Sequence, residues 1–126
     1  GSPWSYISAS LFWREIREFG AIWHGCDWTS YNVLDRNPLA APARGRRRSD
    51  DWPSGRATDW HWRRPEPVDW RPAVRRRGAS VTVTFCTFNA AVREEIARHT
   101  DRYRSGGYRF VHTIETLATG PGGFIN

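Results

Sequence analysis

Arg17 is the first residue in the chain whose type and position suit binding chemistry. It follows residues 11–16, in which bulky apolar side chains give way to charged ones. This pattern predicts a short strand over residues 11–17 with Arg17 at its end. A guanidinium group in that position suits a phosphate or a carboxylate, because its planar fork of donors binds such groups bidentately. The alternative is a solvated surface arginine, which is the common state of a charged residue.

Thr82 and Thr84 are the next candidates, because they place two hydroxyls on one side of a predicted strand. They alternate with the apolar residues Val81, Val83 and Phe85, which is the period of a strand with one polar face. A strand over residues 81–87 is therefore predicted. Hydroxyl groups in these positions can line a cleft, or they can form hydrogen bonds that stabilise the conformation of the strand.

The segment after this strand is interpreted as the longest helix of the chain. Asn89 is a suitable N-cap, and apolar residues then recur at helical spacing as far as Tyr103. Gly106 and Gly107 would end that helix. Residues 108–117 are predicted to form a second strand, so residues 79–126 are expected to be a strand–helix–strand unit.

These segments, taken in chain order, resemble the ADP-ribosyltransferase toxins of the cholera and pertussis type. The first motif of that family is matched by Leu11, Phe12, Glu15 and Arg17. Its serine-threonine-serine strand resembles Thr82-Val83-Thr84, in which the middle hydroxyl is lost. Its aromatic strand and following turn resemble residues 108–111 and 121–126. Trp13 departs from the pattern, because the family often has an arginine there.

The resemblance implies an α+β fold with an ADP-ribosyltransferase-like split sheet and a long Arg/Trp/Pro-rich loop. It also implies an NAD cofactor, with Arg17 holding a phosphate and Thr82 and Thr84 shaping the cleft. The expected function is that of an NAD-dependent mono-ADP-ribosyltransferase toxin or effector domain. The family's Glu/Gln-x-Glu motif is absent, so no catalytic residue is identified and the chain alone is expected to be inactive. Three explanations stay open: a second or cleaved chain or subunit supplies that part, the sequence is truncated, or the protein is a degenerate member that has lost catalysis. The target would be a protein or a nucleic acid.

The chain is expected to be one domain, or a fragment of one, with three regions. Residues 4–35 hold the first motif, residues 36–78 form a basic excursion, and residues 79–126 form the strand–helix–strand unit. The middle region holds 12 of the 19 arginines against five acids, and also six of the eight prolines and four of the eight tryptophans. Prolines this frequent exclude a long helix, so residues 40–76 are predicted to have little regular structure, with their tryptophans more buried than their arginines.

The same region supports a second function class, a binding module for nucleic acid or another anionic partner, without catalysis. The isoelectric point is about 10.3 and the net charge is +6. Arginines interleaved with tryptophans are typical of proteins that bind single strands, where the rings stack on bases. The alternative use of these tryptophans is to dock the loop onto the body of the protein.

The remaining features of the composition bear on the compartment of the protein, on membrane spans, on the cysteines and on metal sites. All the basic side chains are arginine and none is lysine. The toxin resemblance, together with the avoidance of a ubiquitin acceptor, suggests a secreted protein, whereas a GC-rich genome is the alternative explanation. No apolar run is long enough for a membrane span. Cys26 and Cys86 are expected to be bridged or buried, and no metal site is predicted because two thiols and four scattered histidines give no ligand spacing.

Overall fold

The computed structural model describes residues 1–18, 31–40, 53–90, 92–104 and 107–123. Within these residues the chain forms one α-helix and six strands, an α+β arrangement as predicted. The elements are α1 (Pro3–Glu18), β1 (Tyr31–Leu34), β2 (His61–Trp62), β3 (Ala73–Arg77), β4 (Ser80–Asn89), β5 (Glu95–Arg104) and β6 (Phe110–Thr119), with a short 3₁₀ turn at Ala57–Asp59.

The six strands form one antiparallel sheet in the order β1-β4-β5-β6-β2, and β3 also pairs with β4. β3 and β1 share one edge of β4, because β3 pairs with residues 80–84 and β1 with residues 86–89. Successive side chains of a strand point to opposite faces of a sheet. Val83 therefore belongs to one face, which we call the helix face because α1 packs on it. Thr82 and Thr84 belong to the other, which we call the far face.

Helix α1 includes residues 11–17, so the prediction of a strand there is wrong. Its start is specified by Ser2 and Pro3. The Ser2 hydroxyl accepts a hydrogen bond from the Ser5 backbone N–H at 3.2 Å, which is the geometry of an N-cap. Proline is favoured at the first helical position, because that N–H has no partner within the helix. Trp4, Phe12 and Ile16, which suggested a strand, lie on the exposed side of the helix.

The buried side of α1 is largely polar. Both terminal guanidinium nitrogens of Arg14 donate to the carboxylate of Asp101 on β5, each at 2.8 Å. The two side chains are 6% and 0% exposed. One turn earlier, the hydroxyl of Ser10 lies 2.7 Å from that of Tyr103. The apolar part of this interface comprises Tyr6, Val81, Val83, Phe85 and Tyr103.

A second core lies on the far face, beneath the tryptophan-rich loop of residues 53–70. Trp60 and Trp70 are buried there. They belong to a cluster that also contains Leu34, Cys86, Phe88, Ile96, Leu117 and Ala118. Gly120 is required at its rim, because a Cβ at that position would lie 2.5 Å from Cζ2 of Trp60. The tryptophans thus hold the loop on the sheet.

Glu94 fastens the start of this loop to the turn after β6. Its carboxylate is 4% exposed and accepts three hydrogen bonds. The Ser54 backbone N–H donates at 2.6 Å, the Ser54 hydroxyl at 2.9 Å and the Gly122 N–H at 3.1 Å. Three donors satisfy a buried carboxylate that would otherwise be costly to desolvate. One side chain therefore fixes two segments distant in sequence.

Residues 89–103, predicted to be a helix, instead form most of β5, so the strand–helix–strand assignment for residues 79–126 is also wrong. Three consecutive antiparallel strands occupy that region. The buried side of β5 presents Ala97, His99, Asp101 and Tyr103. Because His99 and Asp101 are polar, no period-2 hydrophobic pattern is visible here. The apolar residues that recur at helical spacing therefore predicted a helix instead.

The prediction of little regular structure over residues 40–76 is confirmed for residues 53–72 and wrong for residues 73–76, which belong to β3. Residues 53–72 contain only the 3₁₀ turn and the two residues of β2. Trp60 and Trp70 are buried and Trp62 is half-buried, whereas the loop arginines are exposed: Arg56, Arg63, Arg64 and Arg71. Trp52 and the run of arginines at residues 44–48 lie outside the described residues.

The Arg14–Asp101 ion pair yields the first testable prediction. Replacing Asp101 with Ala leaves a buried, uncompensated guanidinium, and we expect the free energy of unfolding to fall by about 3–5 kcal/mol. The double variant Arg14→Met/Asp101→Leu removes both charges and should lose much less. Urea unfolding measures both.

The exposed pair of Asp69 with Arg71 supplies the control. Its side chains are largely in water, so Asp69→Ala should leave the urea midpoint nearly unchanged. A double variant at Arg14 and Asp101 that is as unstable as Asp101→Ala alone would contradict the prediction.

Candidate functional site

The strongest candidate site is a group of four exposed arginines on the far face. Arg75 and Arg77 come from β3, and Arg102 and Arg104 come from β5. The strand between them is β4, where Arg75 and Arg102 both pair with Thr82, while Arg77 and Arg104 both pair with Ser80. We call these four residues, with the hydroxyl residues of β4 between them, the arginine face.

The sheet fixes the spacing of these four positions. Residues two apart on one strand are separated by roughly 7 Å, and strands on either side of a common neighbour by roughly 10 Å. The four Cα atoms therefore lie near the corners of a rectangle of that size. The sheet thus fixes the backbone positions of the four arginines relative to one another.

Strand alternation and a tight turn explain why β3 contributes to this face. Arg76 points to the helix face, where its guanidinium carbon lies 5.5 Å from the ring centroid of Tyr6 and its side chain donates to the Gly1 carbonyl. Arg75 and Arg77 consequently point the other way. Gly78, with φ of +54°, begins the two-residue loop into β4, which is the position that favours glycine in a hairpin turn.

No acidic side chain neutralises the arginine face within the described part of the chain. The ion pairs found there use Arg14, Arg36, Arg64, Arg71 and Arg98. The nearest acid along the far face is Glu115, which lies near Arg64 and Arg98. Two arginines about 7 Å apart on one strand lie within the Debye length of about 8 Å at physiological salt, so the charges of each such pair repel. This surface therefore favours an anion.

Hydroxyl side chains complete the chemistry of the face. Ser80 and Thr82 lie between the paired arginines, and the next row contains Thr84, Thr100 and Thr113. Thr82, Thr84 and Thr100 are half-buried, and Ser80 and Thr113 are exposed. Hydroxyls and guanidinium groups are the side chains that commonly contact phosphate oxygens. The arrangement can bind an extended row of anionic groups.

The family resemblance predicted that Arg17 shares a cleft with Thr82 and Thr84, and this prediction is wrong. Arg17 is exposed at the end of α1, and its guanidinium carbon lies 4.7 Å from the ring centroid of Trp13. Because α1 packs on the helix face and the two threonines point to the far face, the sheet lies between them. The structure brings Thr82 and Thr84 together, but with the arginines of β3 and β5.

The other predictions about chemical groups have these outcomes. Cys86 is a buried free thiol, whose pKa is raised by burial and lowered in part by Arg98; Cys26 lies outside the described residues. Among the residues described, no three His, Cys, Asp or Glu side chains gather in a way that could hold a metal ion. The one described helix, α1, lacks the length and apolar character needed to cross a membrane.

A second polar group lies on the helix face around His99. The imidazole stacks on Phe85 with 4.8 Å between ring centroids and 3° between planes. Its Nε2 is 2.9 Å from the Thr87 hydroxyl, and Tyr31 meets it edge-on at 5.8 Å. His99 is 1% exposed. The side chain of His99 contacts neighbouring residues of the sheet and is not accessible to a ligand, so we regard its role as structural.

Burial determines the proton affinities in this group. It lowers the pKa of His99 from 6.5 to about 4, aided by the charge of Arg14 and opposed by that of Asp101. It also raises the pKa of the Tyr103 phenol, while the hydrogen bond from Ser10 acts in the opposite direction. His99 is therefore neutral at pH 7, as a stacked and buried imidazole requires.

The arginine face was missed by sequence reasoning because it exists only once the strands pair. Arg102 was interpreted as a helix C-terminal charge and Arg75 as part of the loop. The available signal was the Arg77-Gly78-Ala79-Ser80 turn, because a glycine at a two-residue loop between alternating segments indicates a hairpin. That hairpin alone would have placed Arg75 beside Thr82.

Comparison of the chain with family models, with curated proteins and with solved structures finds no match. The functional argument therefore depends on the geometry of the described residues.

His99 yields a prediction about pH. The unfolded chain takes up a proton at this site near pH 6.5, whereas the folded chain resists protonation until about pH 4. Stability should therefore fall as pH decreases between these values, by at most about 3 kcal/mol. Urea unfolding between pH 7.5 and pH 5 should show the decline.

His99→Gln should flatten that decline, because glutamine does not titrate. His61→Gln is the matched control, since His61 is exposed and should leave the slope as it is. An unaltered slope in His99→Gln would show that other groups cause the acid sensitivity.

Proposed function

We propose that the protein is a binding module for nucleic acid, which it holds by its phosphate backbone on the arginine face. The single observation that supports this is the rectangle formed by Arg75, Arg77, Arg102 and Arg104 on a rigid sheet, without an acidic partner among the described residues. The proposal assigns no catalysis.

Arginine chemistry favours phosphate as the bound group. The guanidinium fork offers parallel donors that match two phosphate oxygens, and charge-assisted bonds of this type are the stronger class of hydrogen bond. Ser80 and Thr82 add neutral donors in the same rows. A single small anion would engage one corner of the rectangle, whereas a polymer with regularly repeated charges engages all four.

Contact with phosphates, rather than with bases, follows from the residues that surround the arginines. Proteins that bind single strands supply aromatic platforms on which bases stack. Trp60 and Trp70 are buried in the core and Trp62 packs against it, so these rings dock the loop instead. Backbone contacts carry no direct sequence information. Binding should therefore be insensitive to sequence and at least as strong for a duplex as for a single strand.

The NAD-dependent activity remains a prediction of the sequence resemblance, as do the split sheet, the toxin role and secretion. That activity needs Arg17 close to Thr82 and Thr84, and these lie on opposite sides of the sheet. The basic module requires no such proximity, which is why we favour it.

The proposal predicts a particular salt dependence of duplex binding. Four phosphate contacts give a slope of log K against log salt of about −3.6, and each lost contact reduces it by about 0.9. The variant Arg75→Gln/Arg102→Gln should therefore bind more weakly, with a slope shallower by about 2. Fluorescence anisotropy with a labelled duplex over a salt series measures both quantities.

Arg17→Gln/Arg93→Gln is the charge-matched control. Arg17 is on the helix side, and Arg93 lies in the β4–β5 turn at the far end of the hairpin from Ser80. Both variants lose two charges, so a simple effect of net charge would weaken them equally. Equal losses in the two variants would contradict binding at the arginine face.

A further inference from the structure

Within the part of the chain that the structure describes, the outer edge of β6 is open over most of its length. β2 pairs with β6 only at Ala118 and Thr119, and the backbone N–H groups of Arg63 and Arg64 reach the Leu117 carbonyl. Among the described residues, no strand pairs with this edge from Phe110 to Thr116. At roughly 3.3 Å per residue this is about 23 Å of unpaired strand.

Both faces of this edge expose apolar side chains. Val111, on the far face, is 70% exposed, and Ile114, on the helix face, is 52% exposed. His112 and Thr113 between them are exposed as well.

On the helix face, Trp13 of α1 contacts Phe110 and His112, with 5.1 and 5.0 Å between ring centroids. This cover is partial, because residues 111–114 remain exposed. Water-exposed apolar residues beside a row of unsatisfied backbone groups form a template for another strand.

The usual protection of an edge strand is missing here. Edges are normally short, carry lysine, arginine or proline, or are bent by a bulge. β6 has ten residues, and its only charged residue is Glu115, which lies near Arg64 and Arg98. The irregularity of the β5–β6 ladder lies between Ile96 and Ala97, at the end that β2 already covers.

The opposite edge of the sheet shows the contrast. There β3 is five residues long and carries Arg75, Arg76 and Arg77, so two copies of that edge would repel each other. Two copies of β6 bring together almost no charge. An antiparallel strand pair also satisfies the twofold symmetry of a dimer, because the same residues serve both partners.

We propose that β6 pairs with β6 of a second copy of this chain, antiparallel, to form one continuous sheet. The pairing buries Val111 and Ile114 and satisfies the free backbone groups of both edges. A single pair of strands makes a small interface, and small interfaces are typical of weak complexes, so we expect the monomer to predominate at low concentration and the dimer at high concentration.

This arrangement has a consequence for the arginine face, which depends on the proposed function. Residues directly opposite each other in an antiparallel pair point to the same side of the sheet. The far faces of both copies therefore lie on one side, and the dimer presents two arginine faces to the same ligand. Two linked sites raise the overall affinity for a long polyanion.

The test is the mass of the free protein in solution, measured by sedimentation equilibrium from low to high micromolar concentration without nucleic acid. The mass should rise from the monomer value of 14.6 kDa toward twice that value. Ile114→Lys and Val111→Lys should each abolish the rise, since a twofold axis brings the new charges of the two copies into one small interface.

Ile16→Lys is the matched control, because Ile16 is an equally exposed isoleucine, at 55%, on the outer side of α1. It should dimerise as the native chain does. Circular dichroism confirms that each variant is folded. A monomeric mass of the native chain across the whole range overturns the proposal, and so does a dimer that persists in both β6 variants. Because the mass is measured without nucleic acid, a failure here is separate from a failure of duplex binding.

Discussion

The ion pair between Arg14 and Asp101 is the interaction on which the arrangement of helix and sheet depends. Both side chains are almost completely removed from water, so each charge is tolerable only while the other is present. The bidentate geometry allows one position and one rotation of α1 across β5. Apolar contacts alone would permit the helix to slide, because they are not directional. The pair costs desolvation energy and in return specifies a unique packing, which the hydrogen bond between Ser10 and Tyr103 reinforces.

This polar interface also explains how far the sequence could predict the fold. β4 was predicted because its apolar and polar residues alternate. β6 was predicted as the strand after the supposed helix, where the chain resembles the family's aromatic strand, and the irregular loop was predicted from its prolines. α1 and β5 were misassigned for one common reason. Each turns polar groups towards the other: Ser10 and Arg14 from the helix, Tyr103 and Asp101 from the strand. Hydrophobic periodicity assumes that the buried side is apolar, so it fails where two buried sides satisfy each other by hydrogen bonds. The Ser2-Pro3 pair was the local signal that remained available for the helix.

The two faces of the sheet differ in which elements cover them, and therefore in the partners that their polar side chains have. The helix face is closed by α1, and polar groups there find protein partners. Half of the far face is closed by the loop, whose tryptophans bury area that no regular element supplies. The other half stays uncovered and carries the arginine face. Clustering like charges there destabilises the free protein through self-repulsion. A surface that served stability alone would have acidic side chains among its arginines, as Glu115 lies between Arg64 and Arg98 in the neighbouring group.

The position of the arginines on strands, rather than on the loop, decides what kind of recognition is available. The middle region of the sequence has most of the positive charge, and of its described arginines those on β3 lie on a regular strand of the sheet. A charge on a mobile segment adjusts to any anion and loses conformational entropy on binding. A charge on a sheet has its backbone position set in advance by the ladder of hydrogen bonds. Arg75 and Arg102 come from distant parts of the chain and meet only through β4. The proposed binding surface is thus a product of strand register.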